Sequence, residues 1–489
     1  MLKDIKNTLS QSAVYGLSRV ATKLVSFVLI PLYTSVYASD AIANINLLES
    51  FWQYLFTVCM FGFEVAIVNF WGSATDESRK KKILFSFFSM MVFNASVFIA
   101  AGFLIPDGLA EFILKEKGLE NVVSYCFLIS AFETLLILPM TIARINNKPV
   151  LYTVITVSSL LINLILQLVF ILKYSFGFEY VFLAKLIAPA VMFIVFVPYV
   201  LKNLEINFNA DEIRDILKFS FPMMLAMLTS ILLNSVDRFI LTDYVSKTEV
   251  AIYTTGYSVG SVTNAFVLTP FYLAIQIIFW KKINDDNFRR FMTKTSTYLF
   301  FVMISISLII TLVIPYAIKV FVRNPELWAS MEIVPFILFA NCFVALFTFP
   351  SLDFYYLKQT KYIFIISLIC LVFKVIANFA FIQFGGIFSS AIITVLAYVL
   401  MMALGYLLTK KQSFTKYEFY KLNLLSILFM VFTGLLFIIN TGSLPVDLAI
   451  KILLLVLFFT ILYFTKFFEP VEIESMKKIF NKYLFKKAT

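Results

Sequence analysis

Residues 361–409 read KYIFIISLICLVFKVIANFAFIQFGGIFSSAIITVLAYVLMMALGYLLT. A helix rising about 1.5 Å per residue needs about 20 mostly apolar residues to cross a hydrocarbon layer ~30 Å thick. This stretch supplies two such runs, 361–383 and 387–409, separated by Gly385 and Gly386, with Lys374 as the charge in the body of the first. It predicts a hairpin of two membrane spans.

The whole chain is written in the same way. Of 489 residues, 61% are hydrophobic, 14% are charged and 57 are Phe. A soluble domain carries roughly 45–50% apolar and about 25% charged residues. The apolar total, near 298, is enough for about fourteen spans. Apolar runs of 18 or more residues fall near 12–36, 45–71, 83–105, 122–143, 149–172, 179–201, 218–242, 250–279, 295–321, 333–357, 361–383, 387–409, 421–440 and 446–466. The fold class is therefore an all-α polytopic membrane protein of fourteen helices. A soluble enzyme, a disordered chain and a disulfide scaffold are excluded.

The chain contains no histidine. Imidazole zinc sites, Ser-His-Asp or Cys-His catalysis and histidine proton relays are thereby ruled out. Cys59, Cys126, Cys342 and Cys370 each lie within a long apolar run and read as packing residues. No metal site or organic cofactor is expected. No Walker P-loop is present, and no cleavable signal peptide is expected.

With the first segment placed in the cytoplasm, alternate loops on that side carry 28 Lys and Arg, against seven on the other. This asymmetry predicts a multi-pass protein of the cytoplasmic (inner) membrane with both termini cytoplasmic. The formal +11 charge then reads as a topology signal and an attraction to anionic lipid, not as a nucleic-acid footprint. A weak internal echo recurs at about 207–210 residues. Tyr37-Ala38-Ser39 returns as Tyr244-Val245-Ser246, Phe70-Trp71 as Phe279-Trp280, and Gly177 as Gly386. Six spans per copy imply a parallel repeat: an N-lobe over 1–205, a C-lobe over 206–410, and helices thirteen and fourteen with a basic tail over 411–489.

Ten charges fall inside spans: Arg19, Lys23, Lys185, Arg238 and Lys374, with Glu49, Glu64, Glu133, Asp237 and Asp353. A central membrane charge costs about 2.5–3.5 kcal/mol on insertion-derived scales. Glu49 and Asp353, near span ends, read as snorkelling or interfacial. Asp237 and Arg238 are helix neighbours about 100° apart, so each is expected to find a partner on another helix. Arg19 and Lys23, four residues apart, share one helix face and repel. Two readings stay open for these with Lys185 and Lys374: a cavity between the lobes that receives an anionic head group, or internal ion pairs with Glu64 and Glu133. Glu133 is also a candidate proton or sodium site for coupling. Asn163 and Gln167, and Asn378 one turn after Lys374, are candidate polar cavity residues.

These segments also resemble a known family. Tyr15-Gly16-Leu17-Ser18-Arg19, running into Phe27-Val28-Leu29-Ile30-Pro31-Leu32-Tyr33-Thr34, is similar to the first span of polysaccharide-transport proteins. These are the O-antigen and lipid-linked oligosaccharide flippases of the multidrug/oligosaccharidyl-lipid/polysaccharide exporter superfamily. Phe221-Pro222, Leu233-Asn234-Ser235-Val236-Asp237-Arg238-Phe239 and Ile252-Tyr253 resemble its seventh and eighth spans; Asn378, Gly385-Gly386 and Ser389-Ser390-Ala391 resemble its eleventh-to-twelfth hairpin. The resemblance covers about residues 8–410. It implies two six-helix lobes opening alternately to the two sides. The implied cargo is an undecaprenyl-pyrophosphate-linked sugar repeat, the implied partners are membrane lipids and glycan-assembly proteins, and Arg19 is the implied pyrophosphate contact. Two extra helices also occur in the lipid II flippase branch, whose further motifs this sequence lacks. The alternatives are an ion-coupled drug antiporter of the same superfamily and a membrane glycosyltransferase, ligase or polymerase. Five buried cations disfavour the first, and short outer loops without histidine disfavour the second.

Overall fold

The computed structural model describes residues 29–74, 76–146, 148–439 and 444–469. Among them, residues 29–36 (α1) are the end of the first predicted span. Then follow α2 (Ser39–Ser73), α3 (Glu77–Leu104), α4 (Glu120–Ile145), α5 (Pro149–Lys173), α6 (Glu179–Lys202), α7 (Ala210–Leu241), α8 (Lys247–Lys282), α9 (Phe288–Phe321) and α10 (Val334–Tyr356). Lys361–Thr409 is continuous in helical hydrogen bonding but breaks at Gly386 (φ 52°, ψ −129°). Ser390 Oγ donates to Asn378 Oδ1 at 2.6 Å. Twelve residues of straight helix would span about 18 Å, so the chain has reversed. We call its arms α11 (361–385) and α12 (387–409), followed by α13 (Phe419–Ile438) and α14 (Pro445–Phe464). The described residues contain helix and no strand.

Loops rich in Lys and Arg gather at one end of the bundle, the basic end; the other is the far end. Three packing cores show how the halves meet. At the far end a single core joins Ile42, Leu47, Val122 and Phe182 of the first half to Ile240, Tyr253, Ile314, Ile337 and Ile387 of the second. Toward the basic end the cores separate. One holds Phe63, Phe87, Leu138 and Val200; another holds Phe279, Met292, Phe300 and Phe349 with Leu425, Phe429 and Phe458 of α13 and α14. The exception is the start of α7, where Ile216 packs into the first-half core. Helix α7 therefore crosses from one half to the other.

Apolar burial does little to drive helices together in lipid, so close approach and polar contacts carry the packing. Gly256 and Gly260, four apart on α8, show the first device. A Cβ on Gly256 would lie 2.7 Å from the Ser330 carbonyl oxygen, and one on Gly260 2.7 Å from Ile337 Cβ. Gly62 shows it at the crossing helix. Phe61 and Gly62 both have positive φ (52° and 74°), breaking α2, and a Cβ on Gly62 would sit 2.8 Å from the Ser220 carbonyl of α7.

Candidate functional site

The described intramembrane charges sort by partner. In the first half, Lys185 on α6 pairs with Glu49 on α2 at 2.6 Å, and its ammonium lies 5.1 Å from the Trp52 ring centroid. Glu49 thus has a defined partner instead of snorkelling to the interface. Glu133 lies within electrostatic reach of Lys185, but forms no hydrogen bond or ion pair among the described residues. Glu64, just past the break in α2, meets Arg144 at 3.2 Å. Gln167 is buried in a short polar ladder: its amide donates to Asn163 Oδ1 at 2.8 Å and accepts from the Tyr33 hydroxyl at 2.5 Å.

In the second half, Asp237 and Lys374 form an ion pair of 2.7 Å with both side chains 0% exposed. Tyr253 OH donates to Asp237 Oδ2 at 2.5 Å, Thr394 Oγ1 lies 3.2 Å from the same oxygen, and Lys374 Nζ donates to the Leu233 carbonyl at 2.9 Å. Asn378 donates to the Lys374 carbonyl at 2.8 Å and accepts from Ser390. The sequence left Lys374 open between a head-group cavity and internal ion pairs with Glu64 and Glu133, and made Asn378 a candidate polar cavity residue. In this conformation both are enclosed, with Lys374 paired to Asp237 and their polar groups used within the second half. The reason is topological. Reversal at Gly386 brings Thr394 and Ser390 alongside Lys374 and Asn378, closing the space around them. Asp353, near the end of α10, is likewise buried within the protein and accepts from Ser413 Oγ at 2.5 Å.

Arg238 differs. Its neighbour Asp237 is engaged by Lys374, and its Nη1 donates across the seam to Ser50 Oγ of α2 at 2.9 Å. Its guanidinium stacks 5.0 Å from the Tyr257 ring centroid, and its Nε is buried without a partner. Its backbone N–H donates to Asp237 Oδ1 at 3.1 Å, but among the described residues the Arg238 guanidinium has no carboxylate partner. Beside it, Tyr54 and Ser235 hydroxyls meet across the same seam at 2.7 Å. Arg19 and Lys23 lie outside the described residues.

The far end of the seam is polar and closed. Lys115 pairs with Asp243 at 2.8 Å, and Lys247 pairs with Glu116 and donates to Asn44 Oδ1 at 3.2 Å. Asn44 in turn donates to Glu116 Oε2 at 2.9 Å. Burial pushes the Glu116 carboxyl up, but hydrogen bonds from Lys247 and Asn44 and the lysine charge outweigh it and hold the group below its usual value. Ser39 pairs with Glu326, and the Arg323 amide donates to Thr34 Oγ1 at 2.9 Å. At the basic end Arg79 of the first half pairs with Glu212 of α7 at 2.9 Å, and Lys82 pairs with Glu205, in the linker to α7, at 3.3 Å. Sequence reading missed Tyr253, Ser50, Tyr54 and the Glu116–Lys247 group. Their partners are more than 130 residues away, except for Asn44 and Glu116, 72 apart, and Tyr253 and Asp237, 16 apart and separated by a turn.

Comparison with known proteins places this arrangement. Over residues 8–275 the chain matches the family described as polysaccharide biosynthesis protein. No curated protein matches by sequence. Among solved structures, the lipid II flippase MurJ in an inward closed conformation aligns with TM-score 0.70 and 17% identity, over 93% of this chain and 99% of that one. An inward-facing multidrug resistance MATE family transporter of the MOP superfamily aligns with TM-score 0.65 and 13% identity, over 81% and 98%. Its outward-facing counterpart gives 0.58 and 13%, over 82% and 95%. At these identities the likeness is one of fold. The matched residues cover more than half of the sequence, and the chain belongs to the polysaccharide biosynthesis protein family, in a membrane-transporter fold shared with the MOP superfamily.

Proposed function

We propose that the chain is a flippase carrying a lipid-pyrophosphate-linked oligosaccharide from the inner to the outer leaflet of the cytoplasmic membrane, for polysaccharide or O-antigen assembly. The observation that carries this reading is Arg238: a guanidinium in the seam between the halves which, among the described residues, has no carboxylate partner and keeps a buried, unpartnered Nε. An unpaired membrane cation is costly, and an incoming pyrophosphate would compensate it with charge-assisted hydrogen bonds. Arg19 and Lys23 complete the proposed anion site. Lys185 joins it when its bond to Glu49 opens.

The proposed lobes are residues 1–205 and 206–410, with 411–489 as an addition. The basic end faces the cytoplasm, following the cation bias of the loops. The far-end core and ion pairs then make this conformation one sealed to the outside, with separate cores on the cytoplasmic side. Transport alternates between this state and one in which the far-end pairs part. Glu133, without a partner among the described residues, is the proposed proton or sodium coupling site; no other cofactor is required. A cationic-drug antiporter calls for a carboxylate-dominated cavity, and here Glu49, Glu64 and Asp237 are each engaged by a cation, leaving Glu133 unpaired among the described residues.

The test is replacement of Arg238 by Ala and by Lys at matched protein level, following surface glycan and lipid-linked precursor. Arg238→Ala should cut export at least roughly tenfold, about 1.4 kcal/mol, and let precursor accumulate, with Arg238→Lys intermediate. Normal export by Arg238→Ala would remove the anion-site assignment.

A further inference from the structure

A cavity lies away from Arg238, between the basic-end parts of α8 and α10. It has a volume of about 360 Å³ and is lined by Gln276, Trp280, Leu352 and Tyr355. That volume is at the small end of the roughly 300–1,000 Å³ of ligand sites, suited to part of a larger molecule. Trp280 and Tyr355 are 54% and 44% exposed, a large aromatic surface that packing leaves uncovered. The Tyr272 hydroxyl lies beside both Tyr355 and Gln276. The helix is shaped to present this surface. Pro270 has no N–H to continue the helical ladder, and residues Asn264–Leu268 just before it form a π-turn. Such turns shift the helix face by a residue and recur at functional sites.

The lining combines aromatic faces with one amide that both donates and accepts. A pyranose ring offers the matching surfaces: an apolar C–H face for stacking and hydroxyls at its edge. The surrounding charge argues against an organic cation. Lys281 and Lys282 follow Trp280 directly and are exposed, with the exposed Asp285 and Asp286 further along the loop, and Lys358 and Lys361 are exposed near Tyr355 in sequence. The carboxylate closest in sequence to the α10 lining residues, Asp353, is 0% exposed and bonded to Ser413. We infer that this cavity is a carbohydrate subsite, taking a sugar ring of the cargo while neighbouring lysines attract its phosphates. The inference rests on the flippase reading and names where the glycan is met.

The test uses full-length protein in lipid nanodiscs and two probes, farnesyl pyrophosphate and farnesyl-pyrophosphate-linked N-acetylhexosamine. The quantity read is the ratio of their dissociation constants, which isolates the sugar. Wild type should favour the sugar-bearing probe by roughly tenfold. Trp280→Ala and Gln276→Ala should reduce that ratio to within about twofold, leaving farnesyl pyrophosphate affinity unchanged. Trp280→Phe, which keeps a stacking face, should retain most of it. A wild-type ratio near one, or one that survives both alanine variants, overturns the subsite. Arg238 stacks on Tyr257, 23 residues or about 35 Å along α8 from Trp280, so Arg238→Ala should leave the ratio unchanged; if neither probe binds wild type the flippase reading falls as well.

Discussion

Lys374→Ala is the most demanding perturbation of the second half. The Lys374 ammonium and Asp237 carboxylate are 2.7 Å apart and fully enclosed. Removing the lysine leaves Asp237 with hydroxyl contacts from Tyr253 and Thr394 but no counter-charge. Breaking one side of a buried pair costs about 3–5 kcal/mol, whereas replacing both sides by neutral groups of similar volume is close to neutral. If the unfolding unit is a lobe of ~200 residues, an entropy of about 2.1 cal/mol/K per residue makes 3–5 kcal/mol equal to about 7–12 °C in melting temperature. The assay is thermal unfolding of purified protein, scored by loss of the monodisperse peak, for Lys374→Ala, Asp237→Asn and the pair Asp237→Asn with Lys374→Met. Each single variant should melt well below wild type, with the Lys374 loss in the 7–12 °C range, and the double variant should recover to within about 3 °C. Transport by the double variant reports whether Lys374 also meets the head group: in this conformation its ammonium is spent on Asp237 and the Leu233 carbonyl, so export close to wild type is expected. A double variant that loses the sum of the single losses, or that is stable yet inactive, would refute the reasoning.

Other consequences follow from the seam and the ends of the bundle. Lys115→Asp with Asp243→Lys should restore the far-end closure that either single reversal weakens, seen as recovery of protection of a cysteine at Asn44 from an impermeant thiol reagent. Gly62→Ala meets the Ser220 carbonyl at 2.8 Å in a left-handed backbone conformation, a strain of about 1–3 kcal/mol; it should lower both thermal stability and export, whereas Gly72→Ala, with open space around it, should change neither. At the basic end, Lys294 holds Glu418 at 2.9 Å and Glu469 at 2.5 Å, joined by Lys421 and Arg290. The Lys294 hydrogen bond holds Glu469 below its ordinary value; for Glu418, burial pushes up, but bonds from Lys294 and Thr297 and the lysine charges win. Their contribution is therefore full above the unfolded Glu value of about 4.3 and is lost as pH falls below it. Stability measured from pH 6 to pH 3 should drop less steeply in Glu418→Gln with Glu469→Gln than in wild type.

The spans were legible because membrane thickness sets a length that apolar runs must meet, and the boundaries near Ser73, Leu104, Lys173, Lys202 and Tyr356 follow the runs closely. The reversal at Gly386 was legible for the same reason, since one helix of 49 residues would greatly exceed the bilayer. Partner choice was not. That Asp237 and Arg238 must look to different helices follows from helix geometry alone. That one finds Lys374 and the other Ser50 depends on how α7, α11 and α2 lie side by side. Glu49 looked interfacial by its distance from the span end, yet Lys185 reaches it from a helix 136 residues away. Trp280 was visible as half of an echoed Phe-Trp pair, but its exposure beside Gln276 and Tyr355 emerges only when α10 packs against α8. Charge arithmetic locates a polar problem in the membrane; only tertiary packing says which group solves it.

The central claim is that this protein moves a lipid-pyrophosphate-linked saccharide between leaflets. Purified protein in liposomes, with a fluorescent long-chain lipid-pyrophosphate-linked saccharide in both leaflets, tests it through the fraction reached by an external membrane-impermeant quencher. Wild type should carry that fraction from about half toward completion, with Arg238→Ala remaining near protein-free vesicles. Wild-type vesicles that hold at half would contradict the account.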